Sequence, residues 1–161
     1  MGNGGRRVQP GQGGTYTEAD IREEIGADAE DHPVALEFLL VTLAALEAAG
    51  TPVLVTTVEL PYSGGVAVGG SWPDGRTRLL TVTEVNEAHD DYPRDPVALA
   101  QAPAHLDATD TDAQALAAIT RALTPIEPQA IVEAIAPASW AQLLIRTPGG
   151  DLLTVAVQDR H

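Results

Sequence analysis

The residues best able to do chemistry lie between positions 84 and 107: Glu84, Glu87, His89, Asp90, Asp91, Asp95, His105 and Asp107. Carboxylate oxygens suit hard cations, and imidazole beside carboxylate suits manganese, iron or zinc, so this set would serve a metal-dependent enzyme. Its spacing matches neither an EF-hand loop nor the His-Glu-x-x-His helix. In a chain with 23 acidic residues such a cluster reads as a solvated loop, and no metal or other cofactor is expected.

Other chemistries are closed off by missing residue types. There is no Cys, which removes thiolate nucleophiles, redox pairs and Cys-ligated metals, and fits a cytoplasmic home. There is no Lys, which removes Walker A loops, Schiff bases and Ser-x-x-Lys nucleophiles. The serines are Ser63, Ser71 and Ser139, none in a Gly-x-Ser-x-Gly elbow. The glycine-rich run 64–70 precedes no helix, so no helix N-terminus would face a phosphate there. These exclusions favour a non-catalytic role over an enzymatic one.

Charge points to a partner. With 9 basic and 23 acidic residues the net charge is −14, which repels nucleic acid and anionic membranes and favours a basic or partly apolar protein. The acidity sits in residues 17–50, net −8, and 84–112, net −7. Asp90, Asp91 and Asp95 are the expected steering charges of a binding face, and Trp72 its aromatic anchor, with core packing the alternative for Trp72.

These residues need elements to carry them. Residues 1–16, with six Gly and an Arg6-Arg7 pair, predict a flexible tail without an export signal, and 17–161 a single domain. Thr17 caps a short helix ending at Gly26, and Asp31-His32-Pro33 starts a second that Gly50 and Pro52 stop. Strands are predicted over 53–60, 65–72 and 77–85, with a Pro-Asp-Gly turn at 73–75. A loop with one helical turn near 96–101 follows, then helices over 112–123, capped by Asp112, and 128–136, and a final hairpin of strands 140–146 and 152–157. No internal repeat is visible. The order ααβββααββ predicts an α+β fold, an antiparallel sheet made of a three-strand meander plus a C-terminal hairpin and packed against helices.

In the helix 33–49 the polar residues Glu37, Thr42 and Glu47 scatter around the axis, leaving no continuous polar side. Leu36, Phe38, Leu39, Leu40 and Leu43 are therefore expected at an interface between copies of the chain, making a homo-oligomer. The element order is similar to that of the secretion-chaperone-like fold, whose members are small, acidic and dimeric, although the closing helix is missing. The expected function is capture of a basic or partly apolar protein, in the manner of an immunity protein, inhibitor or secretion chaperone. A metal-dependent enzyme using 84–107 and a mimic of nucleic-acid charge are the alternatives.

Overall fold

A computed structural model describes residues 15–25, 33–59, 65–85, 96–107, 109–136 and 141–159. Along the chain come α1 (Glu18–Ile25), α2 (Pro33–Ala48), β1 (Leu54–Glu59), β2 (Gly65–Ser71), β3 (Thr77–Glu84) and a two-residue β4 (Val97–Ala98). A 3-10 helix (Leu99–His105), α3 (Thr111–Leu123), β5 (Ile131–Ala136), β6 (Ala141–Arg146) and β7 (Leu152–Asp159) follow. The strands form one seven-stranded antiparallel sheet in the order β1-β2-β3-β7-β6-β5-β4. The α+β class and the antiparallel sheet are as the sequence predicts.

Local chemistry sets the helix ends. Thr17 Oγ1 accepts from Asp20 N at 3.2 Å while Asp20 Oδ2 accepts from Thr17 N at 2.9 Å, a reciprocal cap. α2 closes with Gly50 N donating to Glu47 O and Thr51 N to Leu46 O. α2 and α3 cover one face of the sheet, where Leu39, Leu46, Leu116 and Ile119 share a core with Val66, Leu80, Leu143 and Val155. Each such buried aliphatic contributes roughly 1.5–3 kcal/mol. The opposite face carries a smaller cluster of Leu144 and Leu152 with Val85.

The sheet order exposes a repeat. α2 leads into the meander β1-β2-β3, α3 leads into β5-β6-β7, and the third strands of the two meanders, β3 and β7, pair antiparallel between them. Register fixes the correspondence: Gly70 pairs with Arg78 as Ile145 pairs with Leu153, so Gly70 matches Ile145 and Arg78 matches Leu153. β1 and β5 break register at the same place, between Val55 and Thr57 and between Val132 and Ala134, so Val55 matches Val132. Thr81 pairs with Ala156, its own counterpart, so a local two-fold axis passes through the sheet at that pair.

The turns match bond for bond. Gly75 N donates to Trp72 O and Trp72 N to Arg76 O, as Gly150 N does to Thr147 O and Thr147 N to Asp151 O. Both turns need a positive φ, +87° at Gly75 and +96° at Gly150, which glycine adopts without strain. The flanks agree as well: Tyr16 N donates to Val55 O at the edge of β1, where β5 is met by Val97 of β4 opposite Val132. Carried into the helices, the offset that lays Val55 on Val132 lays Leu36, Phe38, Leu39 and Leu40 of α2 on Ala113, Ala115, Leu116 and Ala117 of α3, all buried.

Three expectations need correction. The predicted helix 128–136 is the strand β5: Val132 and Ile135 pair with Ile145 and Leu143 on the core side of the sheet, an odd spacing that exists only because the irregularity inserts an extra residue between them. That spacing imitates a helical stripe. The cap of α3 is Asp110, whose side chain accepts from Asp112 N at 2.9 Å, and Asp112 serves elsewhere. Leu36, Phe38, Leu39 and Leu40 are at most 7% exposed within one chain, so the sheet and α3 keep them dry without a second copy; Leu43 is half-buried.

Candidate functional site

The repeat creates two clefts, each between the helix of one unit and the hairpin turn of the other. The first, of about 250 Å³, lies between α3 and the turn 72–76. Arg78 stands on β3 at the parity of Leu80 and Val82, so it points into the core and its side chain is 1% exposed. A guanidinium there must be neutralised and hydrogen-bonded. Its Nε donates to Asp112 Oδ1 at 2.9 Å, Nη1 and Nη2 to Asp74 Oδ1 and Oδ2 at 3.2 and 2.6 Å, and Nη2 also to Thr111 O at 3.2 Å.

Burial alone would lower the Arg78 pKa, but the bonds it donates to Asp74 and Asp112 outweigh it and the net shift is upward. The same guanidinium holds Asp74 below the usual carboxylate range. Arg78 also lies over Trp72, 5.3 Å from the ring centroid. Trp72 is 5% exposed, and its buried Nε1–H has no hydrogen-bond partner among the described residues. The other oxygen of Asp112 accepts from Asp159 N at 3.0 Å. This cleft is walled by its own ion-pair network.

The second cleft, of about 510 Å³, lies between the first half of α2 and the turn 147–151. Val34, Phe38, Val41 and Pro148 give it an apolar lining, Glu37, Glu127 and Asp151 line it too, and no basic residue does so among the described residues. Its helix is anchored by Glu84, whose Oε2 accepts from Val34 N at 3.0 Å and Ala35 N at 3.1 Å, meeting two N–H groups that the helix itself cannot satisfy. Glu37 is taken up by Arg22 at 2.7 and 3.1 Å, and that guanidinium holds its carboxyl below the usual range. Asp151 and Glu127 form no ion pair among the described residues.

The two clefts are counterparts. Thr111, Gln114, Ala115 and Ala118 of the first stand where Val34, Glu37, Phe38 and Val41 stand in the second, under the same helix offset. Trp72, Pro73 and Asp74 correspond to Thr147, Pro148 and Gly149, under the offset that lays Gly75 on Gly150. The network of the first cleft has no equivalent in the second, where Thr147, Gly149, Leu153 and Ala35 hold the places of Trp72, Asp74, Arg78 and Asp112.

The acidic set of 84–107 is not assembled into a site among the described residues, which contain no group of three or more potential metal ligands. Glu84 belongs to β3 and caps α2. His105 ends the 3-10 helix, exposed. Asp107 Oδ1 accepts from Thr109 Oγ1 at 2.7 Å and Thr109 N at 2.9 Å, bonds that lower its pKa. Glu87, His89, Asp90, Asp91 and Asp95 lie outside the described residues. Trp72, the expected exposed anchor, is a buried wall of the first cleft instead, because the turn 72–76 folds its ring under Arg78. Leu43 lines a third cleft with Tyr16, Ile21 and Leu54.

The sequence reading missed the Arg78 network, although an Arg at an inward strand position two places before Leu80 was a usable signal for a buried cation needing acids. The second cleft left no local signal, since α2 and the turn 147–151 are far apart in sequence. No helix among the described residues is long and apolar enough to cross a membrane. No family model matches the chain, and neither does any curated protein or solved structure.

Proposed function

We propose that this chain is a non-catalytic protein-binding module of the cytoplasm that captures a basic or partly apolar protein segment in the cleft between α2 and the turn 147–151. The observation that carries this reading is the lining of that cleft: apolar side chains together with three carboxylates and, among the described residues, no cation. Apolar contact supplies holding strength, and acidic charge supplies steering and selects basic partners. Asp90, Asp91 and Asp95 add to the chain's net negative charge, which favours a basic partner.

Panning the purified chain against an immobilised random-peptide library tests it. Enrichment of peptides combining basic and apolar residues, with binding that weakens as salt is raised, is the expected outcome. Enrichment of acidic peptides, or binding unchanged in Asp151→Asn/Glu127→Gln, would remove this cleft from the account.

A further inference from the structure

The pairing of the two clefts indicates what the open one accepts. Resting on the protein-binding reading above, we infer that the cleft between α2 and the turn 147–151 takes an aromatic side chain adjacent to an arginine from a partner peptide, and that the cleft between α3 and the turn 72–76 is the same site filled by the chain's own residues. In the filled cleft the indole of Trp72 packs behind the turn with the Arg78 guanidinium over its face, held by Asp74 and Asp112.

At the counterparts of these four positions stand smaller or uncharged residues: Thr147 and Gly149 of the open cleft's lining for the indole and one acid, and Leu153 and Ala35, both fully buried, for the arginine and the other acid. Two exchanges run the other way, Phe38 in place of Ala115 and Val41 in place of Ala118, and extend the apolar floor. The volumes follow, about 510 Å³ against about 250 Å³. Carboxylates have not vanished from the open cleft; they stand at new positions, Asp151 where the filled unit has Arg76 and Glu127 where it has Gly50. With Glu37 already paired to Arg22, Asp151 and Glu127 are the acids available to an incoming guanidinium. The ring would lie against Phe38, Val41 and Pro148, and the cation would bridge the acids. An arginine fits better than a lysine because its planar fork can both stack on a ring and meet a carboxylate.

The test is an NMR titration of the full chain with the blocked tetrapeptide Ala-Trp-Arg-Ala, beside Ala-Trp-Glu-Ala and Ala-Leu-Arg-Ala. Saturable shifts at residues 34–41 and 147–151, with affinity about tenfold weaker for each control peptide, are expected. Thr147→Trp, which copies Trp72 into the open cleft, is expected to weaken Ala-Trp-Arg-Ala binding at least as much while leaving the melting temperature unchanged or higher. Should Thr147→Trp fail to fold, Asp151→Asn carries the test, with the loss confined to the arginine peptides. Equal binding of Ala-Leu-Arg-Ala would overturn the aromatic inference and leave capture of basic segments standing. Shifts at 72–78 and 111–118 would overturn the assignment of the open cleft, and no saturable binding of either arginine peptide at millimolar concentration would sink both readings. Shifts at 34–41 that depend on protein concentration alone would give the cleft to a second copy of the chain and overturn the peptide proposal.

Discussion

Arg78 and Leu153 hold equivalent places on β3 and β7, yet only Arg78 needs counter-charges, and the difference can be measured. Arg78→Leu strands Asp112, which is 14% exposed, without its cation, so a loss of about 3–5 kcal/mol in urea denaturation is expected. Adding Asp112→Ala should recover part of it, because the counterpart cleft is built on Leu153 and Ala35. Asp74 gives the network a pH signature. Its pKa is depressed by Arg78, so as pH falls the unfolded chain takes up the proton first; the stabilisation is complete above the ordinary Asp range near pH 4 and disappears as pH drops through the folded-state value. Asp74→Asn should flatten the acid limb of a stability–pH curve, and an unaltered limb would show that the pair adds nothing. Trp72→Phe keeps a ring under Arg78 and removes the orphan N–H, whose burial costs about 1–3 kcal/mol, offsetting the lost volume. Little change in melting temperature is expected for Phe and a loss of about 3–5 kcal/mol for Ala.

At the scale of elements, the start of α1, the end of α2 and both hairpin turns were legible because their chemistry is local. Thr17 with Asp20, Gly50, and the two Pro-x-Gly turns each satisfy their own backbone within a few residues, and the structure keeps all of them. β5 was not legible, since the irregularity that sets Val132 and Ile135 on one face exists only in the pairing with β6. The start of α2 depends on a residue 49 positions away, Glu84. Glu84→Ala should cost about 0.5–2 kcal/mol, and Glu84→Gln less because an acceptor remains. β1 and β2 approach so closely that a Cβ on Gly70 would meet Leu54 O at 2.6 Å, whereas one on Gly149 would find nothing nearer than 3.8 Å. Gly70→Ala is therefore expected to lose about 1–3 kcal/mol in thermal melts, and Gly149→Ala to be nearly neutral.

At the scale of the whole molecule, two similar units meet across β3 and β7, and α2 and α3 are buried against the shared sheet. Leu36, Phe38, Leu39 and Leu40, four of the five α2 residues expected at a dimer interface, are covered by this internal pairing, so light scattering at micromolar concentration should give a mass near 16.8 kDa. A mass of twice that value would place the remaining contact elsewhere, with the half-buried Leu43 beside the exposed Leu54 as the first surface to mutate. The sequence by itself determined the α+β class, most of the helices and strands to within a residue or two at their boundaries, the acidic surface and the absence of thiol and lysine chemistry, because composition, caps and turns act over short distances. Only the tertiary structure decided the repeat and the clefts. The two units share register and turn geometry while differing at most side chains, so their equivalence lies in which backbone groups pair; and each cleft joins a helix to a turn from the other unit, a proximity created when β3 and β7 come together at the two-fold axis.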